Sequence, residues 1–272
     1  MILLYFWFMK SSFTIATLLM LLFACSPRPW QATNKVYKKK AGSYGRLIQQ
    51  YPLKDSGTLF VGTVNFSMRR PNFVIIHHTA QNSCDETLKT FTTTTREVSA
   101  HYVICKTGTV YHMLSDMLRA QHAGVSRWGA VTDLNSCSIG IEIDNNGNES
   151  FTDEQIGSLL MLLKRLKQAY NIPAANFLGH ADIAPGRKVD PSKYFPWEKL
   201  ANEGFGIWYD TANVVPPPGF DALQALRTIG YNINKPGDAI HSYKLHFNSQ
   251  DSIPTLTATD AKIITSLLEK YR

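Results

Sequence analysis

Apolar residues recur along this chain in two spacings, one suited to strands and one to helices. "NFVIIHHTA" at 72–80 is an apolar run of strand length that ends on two histidines, and "CSIGIEI" at 137–143 is a second run of the same kind. "SAHYVICKTGTVYHML" at 99–114 sets two strand-like runs around Lys106, Thr107 and Gly108, which predicts a hairpin. "TLFVGTVNFS" at 58–67 reads as a strand or extended segment, and "ANFLGHAD" at 175–182 brings a short strand into a loop. The helical spacing is clearest after "TDEQ" at 152–155, a capping-box pattern followed by Ile156, Leu159, Leu160, Leu163 and Leu166. "DETLKTFTTTTREV" at 85–98 predicts a more modest helix.

Strands and helices mix without regular alternation. The expected fold class is α/β with a central, mostly mixed sheet flanked by helices. The Pro-rich "VVPPPGF" at 214–220 marks a boundary. Beyond it, "FDALQALRTIGY", "DAIHSYKLHF" and "ATDAKIITSLLEKY" are three amphipathic segments, expected to form a small C-terminal three-helix domain over 217–272. Residues 26–70 read as a polar, basic tether and N-terminal extension, and residues 71–205 as the main domain.

The first 25 residues change the picture. Lys10, the apolar stretch Phe13 to Phe23 and "LFAC" at 22–25 follow the layout of a secretory signal peptide, and the last four residues resemble a bacterial lipobox. Cys25 is then the expected lipidation site and the mature N-terminus, and Ser26 resembles the sorting context for the outer membrane. A lipid-anchored protein facing the periplasm follows. Cys84, Cys105 and Cys137 remain in an oxidising compartment, where one disulfide or none can form, and no pair has the close spacing of zinc ligands.

Among 272 residues the net charge is +7, part of it in "KVYKKK" at 35–40 and "RR" at 69–70. That excess suits an anionic partner, but a local basic run is usually a solvated face, and no nucleic-acid partner is expected. A monomer is expected.

The densest chemistry lies in "GHADIAPGRKVDP" at 179–191. His180 and Asp190 offer nitrogen and oxygen ligands of the kind Zn²⁺ accepts, and a catalytic zinc takes three protein ligands and keeps one position open. The end of the "VIIHH" run offers the third. His77 and His78 point to opposite sides of a strand, so only one of them reaches the metal. Glu142 is the candidate acid or base, and Lys188 a cation beside the metal.

The motifs "FVIIHHTA", "SAHYVICKTGTVYHML", "QHAG", "NSCSIGIEIDN" and "GHADIAPGRKVDP" occur in this order over about residues 72–200. In them the chain resembles the zinc N-acetylmuramoyl-L-alanine amidases of the second amidase type, which share a fold with bacteriophage amidase-lysozymes and peptidoglycan recognition proteins. The lipobox and C-terminal segment are similar to those of the outer-membrane lipoprotein members. The resemblance implies that His77, His180 and Asp190 hold Zn²⁺, that Glu142 and Lys188 are catalytic, and that His122 lines a substrate groove. It implies peptidoglycan and muropeptides as partners and a peptidoglycan-binding role for the C-terminal helices. Two departures stand out: "DPSK" replaces the usual "DPGP", and Gln121 stands where Trp is frequent.

Other residues have plainer readings. His78 suits sheet packing or support of a ligand, His101 and His112 either core or groove, and His241 and His246 surface or packing roles. Asp182 suits either a hydrogen bond to a ligand or a loop cap, and Tyr102 and Trp128 either sugar stacking or core. The rival functions are a non-catalytic peptidoglycan-binding lipoprotein and a zinc peptidase cutting within the stem peptide.

Overall fold

A computed structural model describes residues 30–50, 65, 67–68 and 70–271. The signal peptide and Cys25 lie outside these residues, as does most of the extended segment expected at 58–67. The chain divides into two compact units, residues 1–66 and 67–272. In the first, Gln31–Gln50 forms a helix, α1, where a tether was expected. Pro27 and Pro29 precede it, no proline interrupts it, and Gln, Ala, Lys and Leu favour a helix without needing a core.

The second unit is built on a five-stranded sheet of order β3-β2-β4-β1-β5. Its strands are β1 (Phe73–His78), β2 (Tyr102–Ile104), β3 (Val110–His112), β4 (Ser138–Ile143) and β5 (Phe177–Gly179). β1 pairs in parallel with β4 and β5, β2 in parallel with β4, and β2 closes the expected hairpin with antiparallel β3. The mixed α/β expectation holds.

Alternation along the strands divides the core into two layers. Val74 and Ile76 of β1 and Ile139, Ile141 and Ile143 of β4 face α3 (Asp153–Tyr170), which buries Ile156, Leu159, Leu163 and Leu166 against them. Thr152 and Gln155 form the predicted capping box at its start, and Asn171 ends it in a left-handed conformation. Phe73 and Ile75 point to the other face. There Leu178 and Leu134 join residues from α6 (Ala222–Ile229), α7 (Pro236–Phe247) and α8 (Ala258–Tyr271).

The three C-terminal segments are helices as expected, but they share the sheet's second core within the same compact unit, where a separate domain over 217–272 was expected. Leu226, Tyr243, Ile264 and Leu267 are essentially buried there. The Pro-rich segment is therefore a connection within one unit. Apolar periodicity shows that a helix has a buried face but not which surface buries it.

α2 (Cys84–Thr92) is capped by Ser83, whose Oγ accepts the Glu86 N–H, and it stops before a β-branched threonine run. Cys84 is bridged to Cys105 just beyond β2, which ties α2 to the sheet, and Cys137 is free.

If the C-terminal helices and the sheet share one core, Leu226→Ala lowers unfolding free energy by about 2–5 kcal/mol. Tryptophan fluorescence and far-UV circular dichroism then report one coincident urea transition. An earlier, separate transition for the helices would contradict the shared core.

Candidate active site

The site forms at the C-terminal ends of the parallel strands, where ligands gather in open α/β sheets. His77 is the fifth residue of β1 and sits directly across the ladder from Glu142 of β4. β5 ends at Gly179, and the chain turns at once into α4 (His180–Ile183), a single helical turn where a loop was expected throughout. Pro185 and Gly186 fall after that turn, so the remainder is loop. It carries Arg187, Lys188 and Asp190 back to the strand ends.

His77 Nδ1 lies 2.9 Å from His180 Nδ1, and each lies 3.0 Å from Asp190 Oδ2. All three residues are buried. These atoms form a nearly equilateral triangle of lone-pair donors. Ligands about 2.0–2.1 Å from a tetrahedral ion are separated by roughly 3.3 Å, so this face needs only slight opening to grip one. The set could hold a metal ion, and it is the one such group among the described residues.

The outer nitrogens support that reading. His180 Nε2 lies 3.1 Å from the Ala123 carbonyl, which fixes Nε2 as donor and leaves Nδ1 its lone pair. Arg187 donates to the same carbonyl at 2.6 Å, so its 3.3 Å approach to Nε2 is a contact between two donors sharing one acceptor. His77 Nε2 lies 3.1 Å from His122 Nδ1. His122 Nε2 lies 3.2 Å from Ser138 Oγ, which donates to the Leu134 carbonyl. One consistent set of protons runs outward along this chain and leaves His77 Nδ1 free for a metal.

His122 thus borders the groove but lies nearly buried behind a ligand. Gly140 makes room for it, since a Cβ there would collide with the ring. His122 and Ala123 N–H groups both donate to Asn135 Oδ1, which fixes the segment.

Protonation follows burial and neighbours. Burial and the His180 ring lower His77 to a pKa of about 4. Burial, then His77, keeps His122 neutral as well. Burial alone would raise Asp190, but its two imidazole neighbours, His180 and His77, hold it well below the usual carboxylate range. A neutral imidazole and a carboxylate are the forms that bind metal. Glu142 is pushed up to about 8 by burial and by the Asp190 charge, partly offset by Lys188. Its Oε2 is buried without a protein partner.

Glu142 and Lys188 line the same groove as the triad, a cavity of about 450 Å³ walled on one side by Thr87, Thr90 and Phe91 of α2. Of the remaining candidates, His78 also lines this groove and the others lie elsewhere. His78 Nδ1 accepts the Ser192 N–H at 3.1 Å and so fastens the turn after Asp190. His101 is core, accepting the Gly140 N–H and reaching the Leu118 carbonyl. His112 is an exposed residue stacked on Tyr102, and Tyr102 and Trp128 are buried.

Asp182 does not touch the ligands. Its carboxylate accepts from Gly179 N–H, Tyr231 Oη and His246 Nδ1, all within 2.7 Å. His246 is also stacked on Trp197 of α5 (Trp197–Asn202). Gly186 has φ +74° and faces Asp238 of α7, so α7 packs directly on the loop carrying Lys188. Arg187, Ser138, Tyr231 and the buried role of His246 are additions from the fold. Arg187 stands in the recognised motif beside Lys188; the others have no local signal.

A family profile described as N-acetylmuramoyl-L-alanine amidase matches residues 67–193. The chain is 32% identical over 235 residues to the N-acetylmuramoyl-L-alanine amidase AmiD of Escherichia coli, spanning 74% of this chain and 84% of that protein. It is 39% identical over 103 residues to the 1,6-anhydro-N-acetylmuramyl-L-alanine amidase AmpD of Haemophilus influenzae, spanning 38% of this chain and 56% of that protein. The structure of E. coli AmiD with anhydro-N-acetylmuramic acid-L-Ala-D-γ-Glu-L-Lys aligns with TM-score 0.68 at 29% identity, over 80% of this chain and 97% of that one. AmpDH3 from Pseudomonas aeruginosa aligns with TM-score 0.69 at 29% identity, over 81% and 99%.

In metal-free protein the Glu142 pKa of about 8 lies above its ordinary 4.5, so its contribution to stability is complete below that value and is lost as pH rises toward 8. His77 acts oppositely: its contribution is complete above 6.5 and is lost as pH falls toward about 4. Above His77's range the Glu142 effect stands clear of it, at no more than about 1.4 kcal/mol per pH unit. Chelated protein should lose stability from neutrality toward pH 8 in denaturant titrations, with a flatter profile for Glu142→Gln. Parallel profiles would remove Glu142 as a buried, proton-holding carboxyl.

Proposed function

This chain belongs to the N-acetylmuramoyl-L-alanine amidase family, and we propose that it hydrolyses the amide between the lactyl group of N-acetylmuramic acid and L-alanine in peptidoglycan or its fragments, using Zn²⁺ held by His77, His180 and Asp190. The observation that carries the reading is the placement of Glu142. Its partnerless carboxylate oxygen sits one strand across from a ligand of the triad and lines the same groove. A carboxylate retained only for structure would be paired. The anhydromuropeptide bound by AmiD supports the substrate class.

An amide resists hydrolysis because its carbonyl is a weak electrophile and its amine a poor leaving group. Bound at the triad, Zn²⁺ supplies Lewis acidity that brings the pKa of a water from about 15.7 to roughly 7 in suitable sites. Glu142 takes the proton of the attacking water and returns it to the leaving nitrogen, as general base and then general acid. With a cation held by the triad, Glu142 would be ionised more readily than its burial alone allows. The Lys188 ammonium faces the negative charge that develops on the carbonyl oxygen. The α2 wall orients the substrate along the groove. His122 and Ala123, held by Asn135, keep the two imidazoles turned toward the third ligand.

The N-terminal sequence supports a location. Cys25 is lipidated, and the protein is anchored to the outer membrane facing the periplasm. In this setting the substrate is cell-wall peptidoglycan in turnover.

Three outcomes are expected. Mass spectrometry of digested sacculi yields free stem peptides beginning with L-Ala; fragments cut within the stem would instead indicate a peptidase, and no cleavage a binding protein. Glu142→Ala keeps the metal and loses turnover, while Lys188→Met lowers kcat by about 10²–10³-fold with metal content unchanged; an unaltered rate in either variant removes that residue from the chemistry. Cys25→Ala abolishes lipid labelling, and persistent label would disprove the anchor.

A further inference from the structure

α1 (Gln31–Gln50) has a surface that the amidase reading leaves unused. It carries five basic residues, Lys35, Lys38, Lys39, Lys40 and Arg46, and no acidic one. At about 100° per residue, Lys35, Lys38, Lys39 and Arg46 fall along one side of the helix. Val36, Tyr44, Leu47 and Ile48, with Trp30 just ahead of the first turn, fall along the opposite side. Lys40 falls within the apolar side, between Leu47 and Tyr44, where its long side chain can extend the ammonium away from apolar surroundings. The apolar side is open: Val36 is 62% exposed, Leu47 48%, Ile48 71% and Trp30 39%. No helix among the described residues is long and apolar enough to cross a membrane.

We propose that α1 is an interfacial helix that lies along an anionic lipid surface, its apolar side in the headgroup boundary and its basic side paired with lipid phosphates. Charge complementarity selects an anionic partner, and the apolar side selects among such partners. An acidic cell-wall polymer would satisfy the lysines and leave Val36, Leu47 and Ile48 in water, whereas a bilayer interface accommodates both sides at once. The aromatic residues suit the same boundary, with an apolar body and a polar atom facing water. Position agrees. Cys25 is six residues before Gln31, a span of at most about 21 Å, so an acyl anchor there would keep the helix beside the headgroups. The helix property does not depend on acylation and is tested without it.

The test uses the unacylated chain 26–272, which retains every described element. It is co-sedimented with vesicles of phosphatidylcholine alone, with vesicles of equimolar phosphatidylcholine and phosphatidylglycerol, and with purified sacculi. Retention by the phosphatidylglycerol vesicles, weakened by salt and much lower on phosphatidylcholine alone, is the expected result. Each basic side chain near an anionic surface contributes about fivefold to partition, so joint substitution of Lys35, Lys38, Lys39 and Arg46 by Gln lowers it by more than about tenfold. Leu47→Ser with Ile48→Ser lowers it as well. Both variants keep wild-type turnover of a soluble muropeptide, which separates this outcome from failure of the amidase reading. Equal retention on the two vesicle types, indifference to either set of substitutions, or retention by sacculi alone would overturn the proposal.

Discussion

Three lone pairs that meet at one point organise this structure. Two imidazole nitrogens and a carboxylate oxygen, drawn from β1, from the turn after β5 and from the loop beyond it, approach within 3.0 Å of one another. Such atoms have no mutual attraction beyond what a shared proton or cation provides. Their closeness therefore depends on surroundings that fix each ring from behind. Ala123 fixes His180, and the His122–Ser138 chain fixes His77. Burial keeps His77 neutral, and Asp190 stays ionised beside the two rings, so the site is prepared for a cation.

The fold supplies this rigidity from two sides. Parallel pairing in register sets Glu142 beside His77, and the isoleucine layer below, packed on α3, prevents the strands from sliding. From the other side the C-terminal helices share the sheet's core and reach the ligand loop directly. Asp182, two residues beyond His180, receives Tyr231 from the segment after α6 and His246 from α7. Removing one partner of such a buried polar cluster leaves the others without hydrogen bonds in a region closed to water. The helices therefore contribute to the geometry of the loop that carries Asp190.

Much of this was legible in the sequence because it is written locally. The strand ending in "HH", the run containing Glu142 and the capped helix after Thr152 each depend on near neighbours. The two adjacent histidines illustrate both reach and limit. Alternation allows only one to serve and the motif points to His77, while His78's task of holding the turn at Ser192 depends on the fold. What stayed hidden depends on distant partners. His122 supports a ligand only because Gly140, eighteen positions away, leaves space for its ring. Nothing near His246 signals a carboxylate sixty-four residues earlier. The C-terminal helices looked independent because a buried face does not name its partner. The helix at Gln31–Gln50 looked like a tether because it buries little of its apolar side.

Anomalous scattering at the zinc edge from crystals of zinc-loaded protein tests whether these three atoms grip one cation. One peak is predicted, about 2.0–2.1 Å from His77 Nδ1, His180 Nδ1 and Asp190 Oδ2, with its fourth position facing the groove and Glu142. A peak at other residues, or none at this triangle under saturating zinc, would show that they do not.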